Sequence, residues 1–367
     1  MQAVILVGGE GTRLRPLTST VPKPVVPLVD RPFMAYMLEW LRSHGVDDVV
    51  MLMGYLPTAV RNVLGDGTQY GLRIRYVEEP DPRGTAGALK YAEELLDERF
   101  FMLNGDVLSD MDLSAQLARH VETGAKGTLG LVPVEDPTAY GLVRTFSDGR
   151  VKGFLEKPSA DQIDTNLISA GAYIFEREVV DLIEPESNVS IEREIFPPLV
   201  DDGLYGFAHP GAYWLDIGTP DRYLQGTFDI IEGHVRTEVT QRLGDSYLAV
   251  DPDVVSQGRI VPPAVVEKGC RIGEGAHIGS LVVLGSGVTI GERSIVERAV
   301  VMQGAEIGAD CVLRDCVVAA GSRVGDRTHV TAGAVLGEGV TIGADNVLTQ
   351  GVRVFPHVEL PDESIRF

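Results

Sequence analysis

Residues 1 to about 232 alternate two hydrophobic rhythms. Continuous apolar runs at Ala3–Val7, Val49–Met53 and Phe100–Leu103 read as buried strands, with Arg73–Val77 as a further strand. Between them Met34, Met37, Leu38 and Leu41 return at helical spacing before a stop at Gly45, and Ala86–Leu96 reads as another helix. Strand and helix in alternation predict an α/β fold, a mainly parallel sheet covered by helices on both faces. Ligands of such sheets sit beyond the carboxyl ends of the strands. A glycine turn at Gly8 and the Asn104-Gly105-Asp106 segment both fall there.

From Ile260 the rhythm changes. An aliphatic residue returns every six positions: Ile260, Val266, Ile272, Ile278, Leu284 and Ile290. A shortened step leads to Ile295, Val301 and Ile307, and another to Val312, after which the period runs on to Val354. Glycine follows many of these residues, as at Gly273, Gly279 and Gly291. Six-residue repeats build a parallel β-helix, each giving a short strand and a turn with its aliphatic side chain inward. The segment resembles left-handed hexapeptide-repeat domains, and the hand comes from that resemblance. The expected division is a catalytic domain over 1–232, a linker over 233–252 and a repeat domain over 253–367.

Composition narrows the partners. Net charge is −21, which disfavours nucleic acid and anionic membrane. An acidic chain that binds phosphates must concentrate its cations locally or recruit a metal ion. No apolar run approaches a membrane span and no secretory signal is visible, so a cytoplasmic location is expected. Three cysteines, Cys270, Cys311 and Cys316, lack metal-ligand spacing and read as buried small residues. The seven histidines likewise show no ligand spacing.

The stretch LVGGEGTRLRPLT, residues 6 to 18, carries the first chemistry. A P-loop needs Lys-Ser or Lys-Thr after its glycines, and the dinucleotide pattern needs a third glycine where Leu14 stands; both fail. What remains is a glycine turn with Arg13, Arg15 and, shortly after, Lys23. Taken alone it also fits a tight turn with solvated charges.

Taken with the rest of the chain it is specific. GGxGTRLxPLT followed by PKPVVPL resembles the signature of the sugar-1-phosphate nucleotidyltransferases. The likeness continues through Gly84-Thr85-Ala86-Gly87, Asn104-Gly105-Asp106, Phe154-Leu155-Glu156-Lys157-Pro158, Ser169-Ala170-Gly171 and Trp214-Leu215-Asp216-Ile217-Gly218-Thr219-Pro220. The resemblance implies a Rossmann-like catalytic domain, and a hexapeptide-repeat tail also occurs in the family. It implies a reaction in which an oxygen of the sugar phosphate attacks the α-phosphorus of a nucleoside triphosphate and pyrophosphate leaves. No Ser-His-Asp device is needed; the enzyme supplies alignment and charge neutralisation.

On that resemblance Leu6, Gly8, Gly9, Gly11 and Thr12 would approach the nucleotide, with Glu79, Gly84 and Thr85 completing its site. Arg13 would neutralise the triphosphate and leaving pyrophosphate, and Lys23 the α-phosphate. Gly141, Glu156, Lys157, Asn166 and Gly171 would hold the sugar phosphate. Asp106 and Asp216 are the candidate Mg2+ ligands, since Mg2+ is content with a few carboxylates plus phosphates and water. A helix cap is the competing role for Asp106, although Asp110 and Asp112 contend for it.

The base expected is guanine. Family members using thymidine or uridine triphosphates typically carry glutamine where this chain has Glu79. An ionised carboxylate only accepts, which suits the adjacent N1–H and 2-amino donors of guanine. Glu78 is an alternative reader. The resemblance implies GTP and mannose 1-phosphate as the substrates, with thymidylyl, uridylyl or adenylyl transfer to glucose 1-phosphate as alternatives. An added acyltransferase activity in the tail is a further alternative, but the repeats have no long insertion to build an acyl-donor site. A homo-oligomer is expected.

Overall fold

A computed structural model describes residues 1–366. They form two compact units, the first of Met1–Gly9 with Met34–Trp214, the second of Glu10–Phe33 with the chain from Leu215 onward.

The first unit is built on strands β1 (Gln2–Val7), β2 (Asp48–Met53), β3 (Arg73–Glu78), β4 (Arg99–Asn104), β5 (Gly127–Pro133), β6 (Gly141–Thr145), β7 (Val151–Glu156), β8 (Leu167–Glu176) and β9 (Leu204–Ala208). They make one sheet in the order β7-β6-β8-β4-β1-β2-β3, with β5 joining β8 to β9. The pairs β4-β1, β1-β2 and β2-β3 are parallel. The inner strands β4, β1 and β2 carry the continuous apolar runs expected of strands covered on both faces, while β3 at the sheet edge is only partly buried. β8 runs antiparallel to β4, β5 and β6, so the parallel core carries an antiparallel arm. Gln2 is buried in β1 yet fully used, its Nε2 donating to Asp48 Oδ2 and Leu95 O and its Oε1 accepting the Asp97 N–H. Phe100, Tyr173, Phe175 and Phe196 stack at the centre of the core.

Helix Phe33–Ser43 buries Met34, Met37, Leu38 and Leu41 as their spacing predicts, and Gly45 follows at φ +80°. The second predicted helix is shorter than the apolar pattern suggests. It spans Gly84–Tyr91 and gives way to a 3-10 turn, Glu93–Leu95. Two glutamates at Glu93 and Glu94 oppose the negative end of a helix, so the α-helix stops before them.

In the second unit the repeats form three-sided coils of parallel strands. One face stacks Ile278 on Val296, Leu313, Val330 and Leu348; the others stack Leu284 on Val301 and Val318, and Ile290 on Ile307 and Val324. Burying each such side chain contributes about 1.5–3 kcal/mol before conformational entropy is charged. The inward residues at the two irregular steps are Val296 and Leu313, both fully buried, and not their partly exposed neighbours Ile295 and Val312. The omitted residue therefore lies one step later, inside the long strands Ile295–Val301 and Val312–Val318, which turn a corner without a break. Cys270, Cys311 and Cys316 are free thiols buried among these stacks.

Residues 233–252 are more ordered than a linker. Thr237 caps the helix Glu238–Leu243, which buries Val239 and Leu243, and Leu248–Val250 pairs with Ala264–Val266 as the first rung of the coil.

Candidate active site

The carboxyl ends of β1 to β4 gather the first set of candidate residues. Leu6 is half-buried near the end of β1, and Gly8 and Gly9 beyond it are exposed. A Cβ on Gly8 would stand 3.8 Å from Glu79 Oε1, so the Glu79 side chain reaches over bare backbone. Gly54 supports Gly8 from another side: a Cβ there would fall 2.8 Å from Gly8 O. The Glu79 N–H donates to Met53 O, and its Oε2 accepts the Arg83 N–H at 3.1 Å. Burial raises the Glu79 carboxyl above the usual carboxylate range, against the opposing pull of Arg83. Glu78, the alternative reader, is tied to Arg61 at 2.6 Å in an exposed ion pair.

Gly84 opens its helix at φ +71°, with room for no side chain, since a Cβ would meet Val189 O at 2.5 Å. Thr85 Oγ1 donates to Glu192 Oε2 at 3.0 Å and accepts the Ile191 N–H at 2.8 Å. That hydroxyl is thus occupied by the segment 191–192. Asp106 is half-buried just past β4. Gly105 before it lets the chain lie against β1, where a Cβ would strike Val7 Cγ1 at 2.4 Å and Leu6 O at 2.6 Å. The helix Leu113–Thr123 is capped by Asp112, and Asp110 accepts the Tyr213 N–H. The capping role is therefore not that of Asp106.

A second cluster lies on the antiparallel arm. Glu156 pairs with Gly141, whose missing Cβ would fall 2.4 Å from Phe154 Cζ and 3.1 Å from Glu156 Oε2. Burial and then the nearby Glu192 carboxylate raise the Glu156 carboxyl, against Lys157 and Arg193. The buried Tyr173 hydroxyl, bonded to Ser169 Oγ, is pushed up by burial and by the charges of Glu192, Glu156 and Asp106. These three acids thus share one region around Tyr173. Lys157 is exposed, at φ +50°, and its N–H donates to Tyr140 O. Gly171, at φ +70°, leaves space that a Cβ would lose to Asn104 Nδ2 at 2.7 Å. Trp214 braces this turn through Nε1 to Ala170 O at 2.9 Å and an edge contact with Tyr140. Asn166 is exposed; its carbonyl accepts the Val134 N–H.

The second unit carries the remaining candidates. Gly11 sits at φ +64°, and a Cβ there would press on Thr18 Cγ2 at 3.2 Å and Lys23 Cβ at 3.3 Å. The Thr12–Leu14 turn leaves Thr12 and Arg13 exposed, whereas Lys23 is only 9% exposed. Asp216 pairs with Arg222 at 3.1 Å. A Cβ on Gly218 would lie 3.0 Å from Arg13 Nη2 and 3.1 Å from Asp216 Oδ2, so a guanidinium and a carboxylate converge over this glycine. Elsewhere in the unit Asp229, Glu232 and His234 form a group of potential metal ligands, with Asp229 already accepting from Gln225 Nε2 at 2.7 Å.

Two residues packed at these clusters escape the sequence patterns: Glu192 and Gly54. Glu192 sits in the π-helical turn Ile191–Ile195, a local unwinding that flags functional sites only once it is seen.

Residues 2–233 match the Nucleotidyl transferase family and residues 260–366 the GMPPB C-terminal domain. The chain belongs to the nucleotidyl transferase family and is a nucleotidyltransferase enzyme, a class that works with a divalent metal. It is 38% identical over 303 residues to a mannose-1-phosphate guanylyltransferase of Mycobacterium tuberculosis, across 81% of this chain and 83% of that protein. A UTP–glucose-1-phosphate uridylyltransferase of Synechocystis is 31% identical over 339 residues, across 78% and 87%. HddC from Yersinia pseudotuberculosis, solved in complex with GMP-PN, aligns with a TM-score of 0.53 at 26% identity, across 62% of this chain and 97% of that one. No helix among the described residues is long and apolar enough to cross a membrane.

Proposed function

We propose that this enzyme transfers GMP from GTP to mannose 1-phosphate, giving GDP-mannose and pyrophosphate. The observation that carries the base is Glu79: a half-buried carboxylate over Gly8, fixed by the Arg83 N–H, with Glu78 diverted to Arg61. Its free lone pairs match the paired donors of guanine and no other common base. The mannose 1-phosphate assignment follows the Mycobacterium relative, and the acids Glu156 and Glu192 are suited to sugar hydroxyls.

Asp106 and Asp216 are assigned to Mg2+. Both offer hard oxygen donors, and Asp112 takes the capping role that would otherwise explain Asp106. Mg2+ bound there would offset triphosphate charge and polarise the α-phosphate. Arg13, always charged, holds phosphate oxygens through its fork, and Lys23, largely buried, acts where water screens it little. Gly8, Gly9 and Gly11 let backbone approach the nucleotide, and Leu6 and Thr12 flank it. Lys157 and the Gly141 and Gly171 backbone orient the sugar phosphate for in-line attack as the bond to pyrophosphate breaks.

Residues 1–232 carry this chemistry, and 253–367 assemble chains into a homo-oligomer. A cytoplasmic location fits the three unpaired cysteines. The test is a matrix of GTP, ATP, UTP and dTTP against mannose, glucose, galactose and glucosamine 1-phosphates, read by pyrophosphate release. A preference for dTTP or UTP overturns the guanine assignment; a monomer by light scattering overturns the assembly.

A further inference from the structure

We infer that Arg353 of the β-helix is a positioning residue for nucleotidyl transfer, holding the turn that aims Arg13. The inference rests on the role proposed above for Arg13.

The turn is slight. It consists of Thr12–Leu14, closed by Leu14 N–H to Gly11 O at 3.0 Å and Arg15 N–H to Thr12 O at 3.2 Å. Nothing so short keeps its shape alone, because each ordered residue costs about 1–2 kcal/mol of backbone entropy. Arg353 Nη1 donates to Arg13 O at 3.3 Å and to Arg15 O at 3.2 Å, gathering two carbonyls of the turn on one charged nitrogen. A second tie runs from Thr20 Oγ1 to Glu338 Oε2 at 2.5 Å. Arg353 pairs in register with Val335, so the two tail residues project from neighbouring coils. Arg353 thereby holds the Arg13 backbone, while the Arg13 guanidinium arrives with the Asp216 carboxylate above Gly218.

Arg353 itself touches no substrate in this account; it acts through Arg13. Losing it leaves the Arg13 and Arg15 carbonyls to water and spreads the Arg13 side chain over more positions. A misplacement of about 1 Å can cost on the order of a hundredfold in rate. A tail that served only assembly would show the opposite signature, altered oligomer size with unaltered turnover per subunit.

The experiment uses the full chain and whichever NTP and sugar 1-phosphate the wild type turns over fastest. Arg353→Ala, Arg353→Lys, Arg13→Ala and the Arg13→Ala/Arg353→Ala double variant are compared for kcat, KM, melting temperature and size by light scattering. We expect Arg353→Ala to lower kcat roughly tenfold or more, at wild-type size, with partial recovery in Arg353→Lys. In the Arg13→Ala background the Arg353 change should add nothing, since both act through one group. Should Arg353→Ala not fold, Thr20→Val cuts the second tie and is expected to lower kcat with the same non-additivity. Turnover within about twofold of wild type, or an effect that adds to that of Arg13→Ala, overturns the inference. Wild-type turnover in Arg13→Ala alone instead overturns the site assignment beneath it.

Discussion

The Arg83 N–H donates to Glu79 Oε2 at 3.1 Å, leaving the other oxygen of that carboxylate beside Gly8. One oxygen is thus fixed by the protein, and on the proposed function the other is the one that meets the base. Glu79→Gln replaces an acceptor by a group that is half donor, so it should weaken GTP relative to dTTP or UTP by about 1–3 kcal/mol in kcat/KM. Burial raises this carboxyl, so acidification should erode GTP preference at a higher pH than an ordinary carboxylate allows. The Gln variant should lack that pH dependence. An unchanged GTP:dTTP ratio removes Glu79 as the reader of the base.

Asp216 lies between Arg222 and the space over Gly218 where Arg13 also arrives. Replacing it by Asn removes the carboxylate charge beside Arg222 and near Arg13, and with it the proposed metal ligand. Asp216→Asn and Asp106→Asn are each expected to lower Mg2+-dependent turnover by roughly two orders of magnitude or more. Calorimetric titration of Mg2+ with GTP should weaken in parallel. A folded variant with near-normal turnover would sink the metal assignment.

Gly171 is the position where a single methyl group should do most harm. Its φ of +70° already disfavours alanine, and the added Cβ would stand 2.7 Å from Asn104 Nδ2. We expect Gly171→Ala to destabilise the fold by roughly 1–3 kcal/mol, seen as a lower melting temperature. It should also raise KM for the sugar phosphate more than for the nucleotide. Equal effects on both would detach this turn from the sugar site.

His209 makes a pH prediction for stability rather than for turnover. It is buried, bonded through Nε2 to Gln116 Oε1, and burial lowers it from 6.5 to about 4, with Asp112 opposing and His44 assisting. A folded-state pKa below the unfolded one means the unfolded chain takes up the proton first. The stability His209 contributes is therefore whole above pH 6.5 and is lost as pH falls toward 4. The loss is on the order of 3 kcal/mol. Chemical denaturation across that window should show the decline, and His209→Gln should flatten it.

Much of this fold is legible in the amino-acid sequence. The alternation that predicted a parallel core is borne out strand by strand, because a strand covered on both faces must be apolar throughout. The hexad pattern marks the inward residues for the same reason. It misplaces two of them because Ile295-Val296 and Val312-Leu313 are adjacent apolar pairs, and periodicity cannot say which member turns inward when a corner loses a residue. The segment 233–252 looked like a linker because only Val239 and Leu243 of its short helix are buried, too few to show a period. Glu192 stayed hidden since its partners, Thr85 and Glu156, are distant in sequence. The antiparallel arm and the packing of Glu10–Phe33 with the later chain are likewise long-range results.

The coil has a consequence for how chains of this kind can vary in length. Its rungs lie about 4.8 Å apart, longer than any hydrogen bond, and Arg353 must stand level with the turn it holds. The stack therefore works as a ruler read at one mark. Inserting or deleting a whole rung before Val335 would carry Arg353 past Arg13 O and Arg15 O, while rungs added beyond Glu359–Leu360 would leave it in place. Growth at the far end is free, and growth in the middle is not.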